Sequence, residues 1–125
     1  MGSYPHAVLE LGSRLRAQPA PARVVWSSLT RPRDLAARQW LDLLDDEVDP
    51  PILESVEPAL VVWSTLWPDR PYERTRFDIQ PGGQGCQLRW TLLTAGPPPT
   101  VSRLGHMRSR LNLLINERLR GSYGQ

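Results

Sequence analysis

The chain contains no lysine: all fifteen basic residues among its 125 are arginine, against thirteen acids, for a formal charge of +2. That bias is what a GC-rich genome produces and assigns no chemistry by itself. Cysteine is nearly absent too. Cys86 stands alone, which excludes an internal disulfide and a cysteine-ligated zinc site. No run of about eighteen apolar residues occurs and no charged-then-apolar segment opens the chain, so no membrane span is expected and the chain reads as soluble and cytoplasmic. Internal repeats at a solenoid period are also missing. At this length one domain over residues 1–125 is expected, burying roughly two-thirds of its unfolded surface. Residues 1–5 read as a disordered or extended N-terminus and 121–125 as a tail.

What is present is unevenly distributed. Residues 1–33 carry five arginines against one acid, 34–78 four against eleven, and 79–125 six against one. Mutual neutralisation between the basic ends and the acidic middle is a better reading than a nucleic-acid surface. The middle includes DDEVDPP at residues 45–51, whose carboxylates suggest a metal loop. It fails the calcium test, because Pro50 takes the place of the sixth-position glycine and no bidentate Glu follows at the twelfth. A solvated acidic loop is expected, with no metal or other cofactor.

The stretch Val101 to Arg120 organises the chain. Leu104, Met107, Leu111, Leu114, Ile115 and Leu119 form one stripe at helical period, with Ser102 as the expected N-cap and Gly121 as a left-handed C-cap. Such a stripe needs a sheet to lie on. Ala7 to Arg16 alternates as a first strand, with Leu9, Leu11, Ser13 and Leu15 on one side. Pro21 suits the first turn of a short helix whose inner face is Val25, Trp26 and Leu29. A second short helix is expected from Thr30, its cap, to about Leu44, with Leu35, Ala36, Gln39, Trp40, Leu43 and Leu44 at helical spacing.

From Ile52 the period changes to two. Four strand candidates, ILESVE, ALVVWSTLW, YERTRFDI and CQLRWTLLT, read as an antiparallel meander, the last two joined by the hairpin turn PGGQG. Thr75, Phe77 and Ile79 share a face with Leu88, Trp90 and Leu92. Arg74, Arg76, Asp78, Gln87, Arg89 and Thr91 face the other way, making an arginine-rich wet face. Gly96 with Pro97, Pro98 and Pro99 is a stiff connector into the long helix.

With these elements in order, the residues carry a resemblance. Residues 19–26, PAPARVVW, followed by Leu29-Thr30-Arg31-Pro32 and Trp40, are similar to the opening motif of the START-like helix-grip superfamily, which includes birch-pollen allergens and polyketide cyclase/dehydrase-like proteins. Glu57-Pro58 to Trp63, and Phe77 to Gly85, resemble that superfamily's strand and hairpin motifs. The resemblance implies an α+β helix-grip fold: a curved antiparallel sheet around a long C-terminal helix, with a hydrophobic cavity between them. Two departures stand out. Cys86 replaces the usual Thr, and only about ten residues separate Trp40 from Pro50, where the superfamily places two further strands. About five strands are therefore expected instead of seven. The first of the four, Ile52 to Glu57, becomes a sheet edge that is either blunted by the acidic loop or paired in a homodimer.

Candidate site residues follow from that geometry. Phe77, Trp90, Leu92, Met107, Leu111 and Leu114 converge where helix meets sheet, and would line a cavity for a hydrophobic or aromatic small molecule. Arg108 lies about 40° from the Leu104 direction. It reads either as a snorkelling side chain or as an anchor for a ligand carboxylate, with Glu73 as a second candidate partner. Trp26, Trp40 and Trp90 belong to inward faces, while the direction of Trp63 and Trp67 is open. His106 points to solvent, His6 has no nearby acid, and Cys86 reads as a buried strand cysteine. No catalytic triad can be assembled, so a cyclase-like enzyme and a protein-interaction module using the outer arginine face stand as alternatives to ligand binding.

Overall fold

The computed structural model describes residues 8–124. Ala7, His6, the segment 1–5 and Gln125 lie outside the described residues. Among the described residues five strands form one antiparallel sheet: β1 (Leu9–Gln18), β2 (Ile52–Val56), β3 (Leu60–Trp63), β4 (Glu73–Gly82) and β5 (Gly85–Thr94), in the order β1-β5-β4-β3-β2. In the meander β2 to β5, short turns join β2 to β3 and β4 to β5 while the longer segment 64–72 joins β3 to β4, and β1 closes the other side by pairing with β5. Alternation in β4 and β5 sets the faces, although Thr91, expected on the wet face, is itself buried. Thr75, Phe77, Ile79, Leu88, Trp90 and Leu92 are buried, and Phe77 lies opposite Trp90 across the ladder. The β4–β5 turn is two residues long with Gly83 at φ 59, the left-handed region that hairpin turns require. Gly85, just after it, meets the Gln18 carbonyl so closely that a methyl group would collide with it.

The first strand departs from the expected phase. Its register against β5 shifts between Glu10 and Gly12, a bulge at Leu11. One inserted residue flips every later side chain. Gly12, Arg14 and Arg16 thus lie opposite Leu92, Trp90 and Leu88 on the helix side, whereas Leu15 sits opposite Arg89 on the outer face and is exposed.

Only one helix follows β1. Helix α1 (Ala22–Thr30) starts directly after Pro21 and buries Ala22, Val25 and Leu29. The expected second helix is absent, and residues 31–51 run as turns and irregular chain. Local hydrogen bonds explain why. Asp34 Oδ1 accepts from the Ala36 backbone N–H (2.9 Å), and the Asp34 carbonyl is taken by Gln39 Nε2 (3.1 Å) and the Ala37 N–H (3.2 Å), which leaves a turn where a helix would start. Thr30 does not cap anything. It ends α1, its hydroxyl donating back to the Trp26 carbonyl. Leu35 is exposed, while Trp40 and Leu41 reach the core without helical periodicity.

Helix α2 (Val101–Leu113) continues into a π-helical segment (Leu114–Leu119). The cap is Thr100, not Ser102: its side chain accepts from the Arg103 N–H (3.2 Å). Gly121 is not left-handed either; the chain turns once more and Gly124 carries the positive φ. The concave sheet face and this helix enclose the core, joined by α1 from one side. Within it Trp63 stacks on Trp40 (6.1 Å) and meets Phe77 edge-on (4.7 Å). Trp67 lies beyond the end of β3 and is fully buried.

Candidate functional site

The seam between sheet and long helix is where the expected site residues lie. Phe77, Trp90 and Leu92 rise from the sheet, Met107, Leu111 and Leu114 descend from the helix, and all six are at most 2% exposed. Polar groups interrupt this apolar seam at its β1 end. Trp90 Nε1 donates to Asn112 Oδ1 (3.1 Å), which also accepts from Asn116 Nδ2 (3.2 Å). Gln18 Nε2 donates to the Ile115 carbonyl (3.2 Å), tying the end of β1 to the π-helical segment. Two acceptors here, Gln18 Oε1 and Asn116 Oδ1, are buried with no hydrogen-bond partner among the described residues. The widened i→i+5 turn brings Asn116 inward, although a strict helical period places it on the far side.

Arg108 is exposed, and its side chain packs on Gly12 of β1, whose missing Cβ leaves the room. It therefore sits at the rim of the seam. The buried arginine of the helix is Arg110. Measured from the mean direction of Met107, Leu111 and Leu114, Arg110 is about 65° away and Arg108 about 95°, so Leu104, half-exposed itself, is a misleading reference.

Arg110 makes a bidentate pair with Glu47: Nε donates to Oε2 (2.9 Å) and Nη2 to Oε1 (2.7 Å), while Nη2 also reaches the Asp42 carbonyl (2.8 Å). Glu47 further accepts from the Leu44 backbone N–H (2.9 Å) and Trp67 Nε1 (3.2 Å). Burial pushes its carboxyl upward, but the bonds from Arg110, Leu44 and Trp67 outweigh it and hold the group below its ordinary value. The acidic loop is thus not wholly solvated. One of its carboxylates is a core residue.

Part of the remaining charge follows the expected neutralisation. Arg103 pairs with Asp69 (2.8 Å) and Asp46 (4.0 Å), Arg118 with Asp42 (3.8 Å), Arg33 with Asp49 (2.9 Å) and Arg23 with Glu57 (3.3 Å), each joining a basic end of the chain to its acidic middle. Glu73, considered for Arg108, is buried and held by Arg70 and the Thr94 hydroxyl. The outer sheet face mixes both signs: Arg76 chelates Asp78, and Glu54 lies opposite Val62 beside it. Cys86 is buried, which pushes its thiol up, and His106 is exposed. Among the described residues no three of His, Cys, Asp and Glu gather as metal ligands, and no helix is long and apolar enough to cross a membrane.

No family model matches the chain, and no curated protein does. Solved structures do. The Aha1 dimer from Colwellia psychrerythraea superposes with a TM-score of 0.63 at 11% identity, over 91% of this chain and 93% of that one. CalU16 from Micromonospora echinospora gives 0.59 at 18%, over 89% and 83%. The AHSA1-like protein from Rhizobium etli gives 0.58 at 18%, over 96% and 84%. The fold is the helix-grip fold that the sequence motifs resemble.

Proposed function

We propose that the chain binds a small hydrophobic or aromatic molecule between the concave sheet face and the C-terminal helix, against Phe77, Trp90, Leu92, Met107, Leu111 and Leu114, with Arg108 at the rim. The observation that carries this reading is the pair of buried, unpartnered acceptors, Gln18 Oε1 and Asn116 Oδ1, at one end of an otherwise apolar seam. Buried acceptors without a donor are rare, and a ligand hydroxyl or amine would satisfy them. The lining side chains are in contact, so entry parts helix from sheet, and Met107 can re-pack around differently shaped guests. Catalysis by a cyclase-like route is the weaker reading, because both buried carboxylates, Glu47 and Glu73, are locked by arginines and not poised to move a proton.

Titration with 2-naphthol, followed by amide and indole NMR, should move the Trp90 indole and the Gln18 and Asn116 side-chain amides together. With 2-naphthoate, Arg108→Met should weaken binding about ten- to a hundred-fold while leaving 2-naphthol unaffected, the loss of one charged hydrogen bond. Shifts confined to surface residues would remove the seam as the site. Equal weakening of both probes would reduce Arg108 to packing.

A second reading, association with another copy, is favoured by β2. It lies at the sheet edge, all five of its residues are exposed, and Ile52, Leu53 and Val56 are apolar. One similar structure is described as a dimer. Sedimentation at high micromolar concentration should then show a two-chain species, lost on placing proline at Leu53. A monomer throughout excludes this reading.

A further inference from the structure

A cleft of about 450 Å³ opens on the opposite side of α1 from the sheet. Three separate stretches build it: the outer flank of α1 (Arg23, Val24, Ser27, Ser28), the turn that replaces the second helix (Arg31 to Arg38) and the C-terminal turn (Ser122, Tyr123), with Trp40 behind. Its volume is that of a small-molecule site. Its charge is one-sided. Three arginines line it against a single acid, Asp34, and one oxygen of that acid already accepts from the Ala36 N–H. Arg23 is shared with Glu57, but Arg31 and Arg38 pair with no carboxylate among the described residues.

The hydroxyls complete the arrangement. Arg31 Nη2 donates to Ser27 Oγ (2.7 Å), which fixes the guanidinium against α1 and leaves the Ser27 proton for another acceptor. Tyr123 donates to Ser28 Oγ (2.9 Å), and Ser28 donates onward to the Val24 carbonyl (3.1 Å), so this wall is pre-oriented. Burial pushes the Tyr123 phenol up to about 12, which keeps it neutral and adds no opposing charge. Val24 and Pro32 supply apolar surface beside these groups.

We propose that this cleft is a second binding site, separate from the helix–sheet seam, that takes a small organic anion: a phosphate or carboxylate head between Arg31, Arg38 and the Ser27 hydroxyl, and a compact apolar body against Val24 and Pro32. A planar guanidinium already fixed by a neighbouring hydroxyl loses little freedom on engaging such a head, which favours fork-like pairing over diffuse attraction. The site does not depend on ligand binding in the seam, since none of its residues lines that seam.

NMR titration of the full chain with inorganic phosphate, phenyl phosphate and benzoate tests it. Saturable millimolar or tighter shifts are expected at the Ser27, Ser28 and Arg31 amides, larger for phenyl phosphate than for inorganic phosphate because the ring adds contact. The order of phenyl phosphate and benzoate assigns the head group. Arg31→Gln and Arg38→Gln, both at exposed positions, should each weaken binding about tenfold while leaving the thermal midpoint and the Trp90 response to 2-naphthol in place. Absence of saturable shifts in all three titrations, or shifts that survive both substitutions, overturns the proposal. Shifts at Trp90 instead of Ser27 would do the same, by placing the anions in the seam.

Discussion

Replacing Arg110 with Met should lower the free energy of unfolding by about 3–5 kcal/mol, the range for removing one partner of a buried ion pair. The Glu47 side chain is 0% exposed and that of Arg110 9%, so the orphaned carboxylate has no route to water. A Glu47→Gln/Arg110→Met double variant should recover part of the loss, because Gln removes the charge yet keeps an acceptor for the Leu44 N–H. Urea unfolding monitored by tryptophan fluorescence measures both. A loss under about 1 kcal/mol for the single variant would show that the pair behaves like an exposed surface bridge.

The same carboxylate sets an acid limit. Its folded-state pKa lies below the ordinary 4.5, so the folded chain binds this proton more weakly than the unfolded one. The stabilisation is fully present above about pH 4.5 and is lost as pH falls through the folded-state value. Stability should therefore be flat with respect to this group near neutrality and decline in acid, with a shallower decline in Glu47→Gln.

Trp63→Ala is expected to cost about as much, roughly 3–5 kcal/mol, through a different physical route. Trp63 is fully buried between Trp40 and Phe77, and its Nε1 donates to the Leu29 carbonyl (2.8 Å) at the end of α1. Truncation opens a cavity and strands that carbonyl. Trp63→Phe keeps most of the packing and loses only the bond, so about 1–3 kcal/mol is expected. Near-equal costs for the two variants would mean that the hydrogen bond, not the packing, joins α1 to the sheet.

Periodicity in β4 and β5 made the inner face legible, because the inward positions keep period two from Glu73 to Ile79 and from Cys86 to Leu92, and both strands have a neighbour on each side. The long helix was legible for the same reason. What periodicity missed was decided by single local events. The bulge at Leu11 reversed the first strand, and the Asp34 turn replaced a helix whose spacing looked sound. The buried pair was hidden because Glu47 and Arg110 are 63 residues apart and Glu47 sits among solvated acids. Its one local signal was Trp67 as an indole needing a buried acceptor. Of the candidate site, the apolar lining could be read from the stripe and the strand faces. Gln18 and Asn116 could not, since one ends a strand and the other turns inward only because the helix widens.

The pairing of β1 with β5 orders the folding of the sheet. Every β1 contact in the sheet reaches 68 residues or more ahead in the chain, from Gln18 to Cys86 at the nearest, and the helix that fills the concave face comes last. The meander joins strands close in sequence and can form early in folding, whereas docking of β1 closes the long loop late, and the apolar face of Phe77, Trp90 and Leu92 stays uncovered until Val101–Leu119 packs on it. Docking of Val101–Leu119 is thus the step that takes the sheet's apolar face out of water.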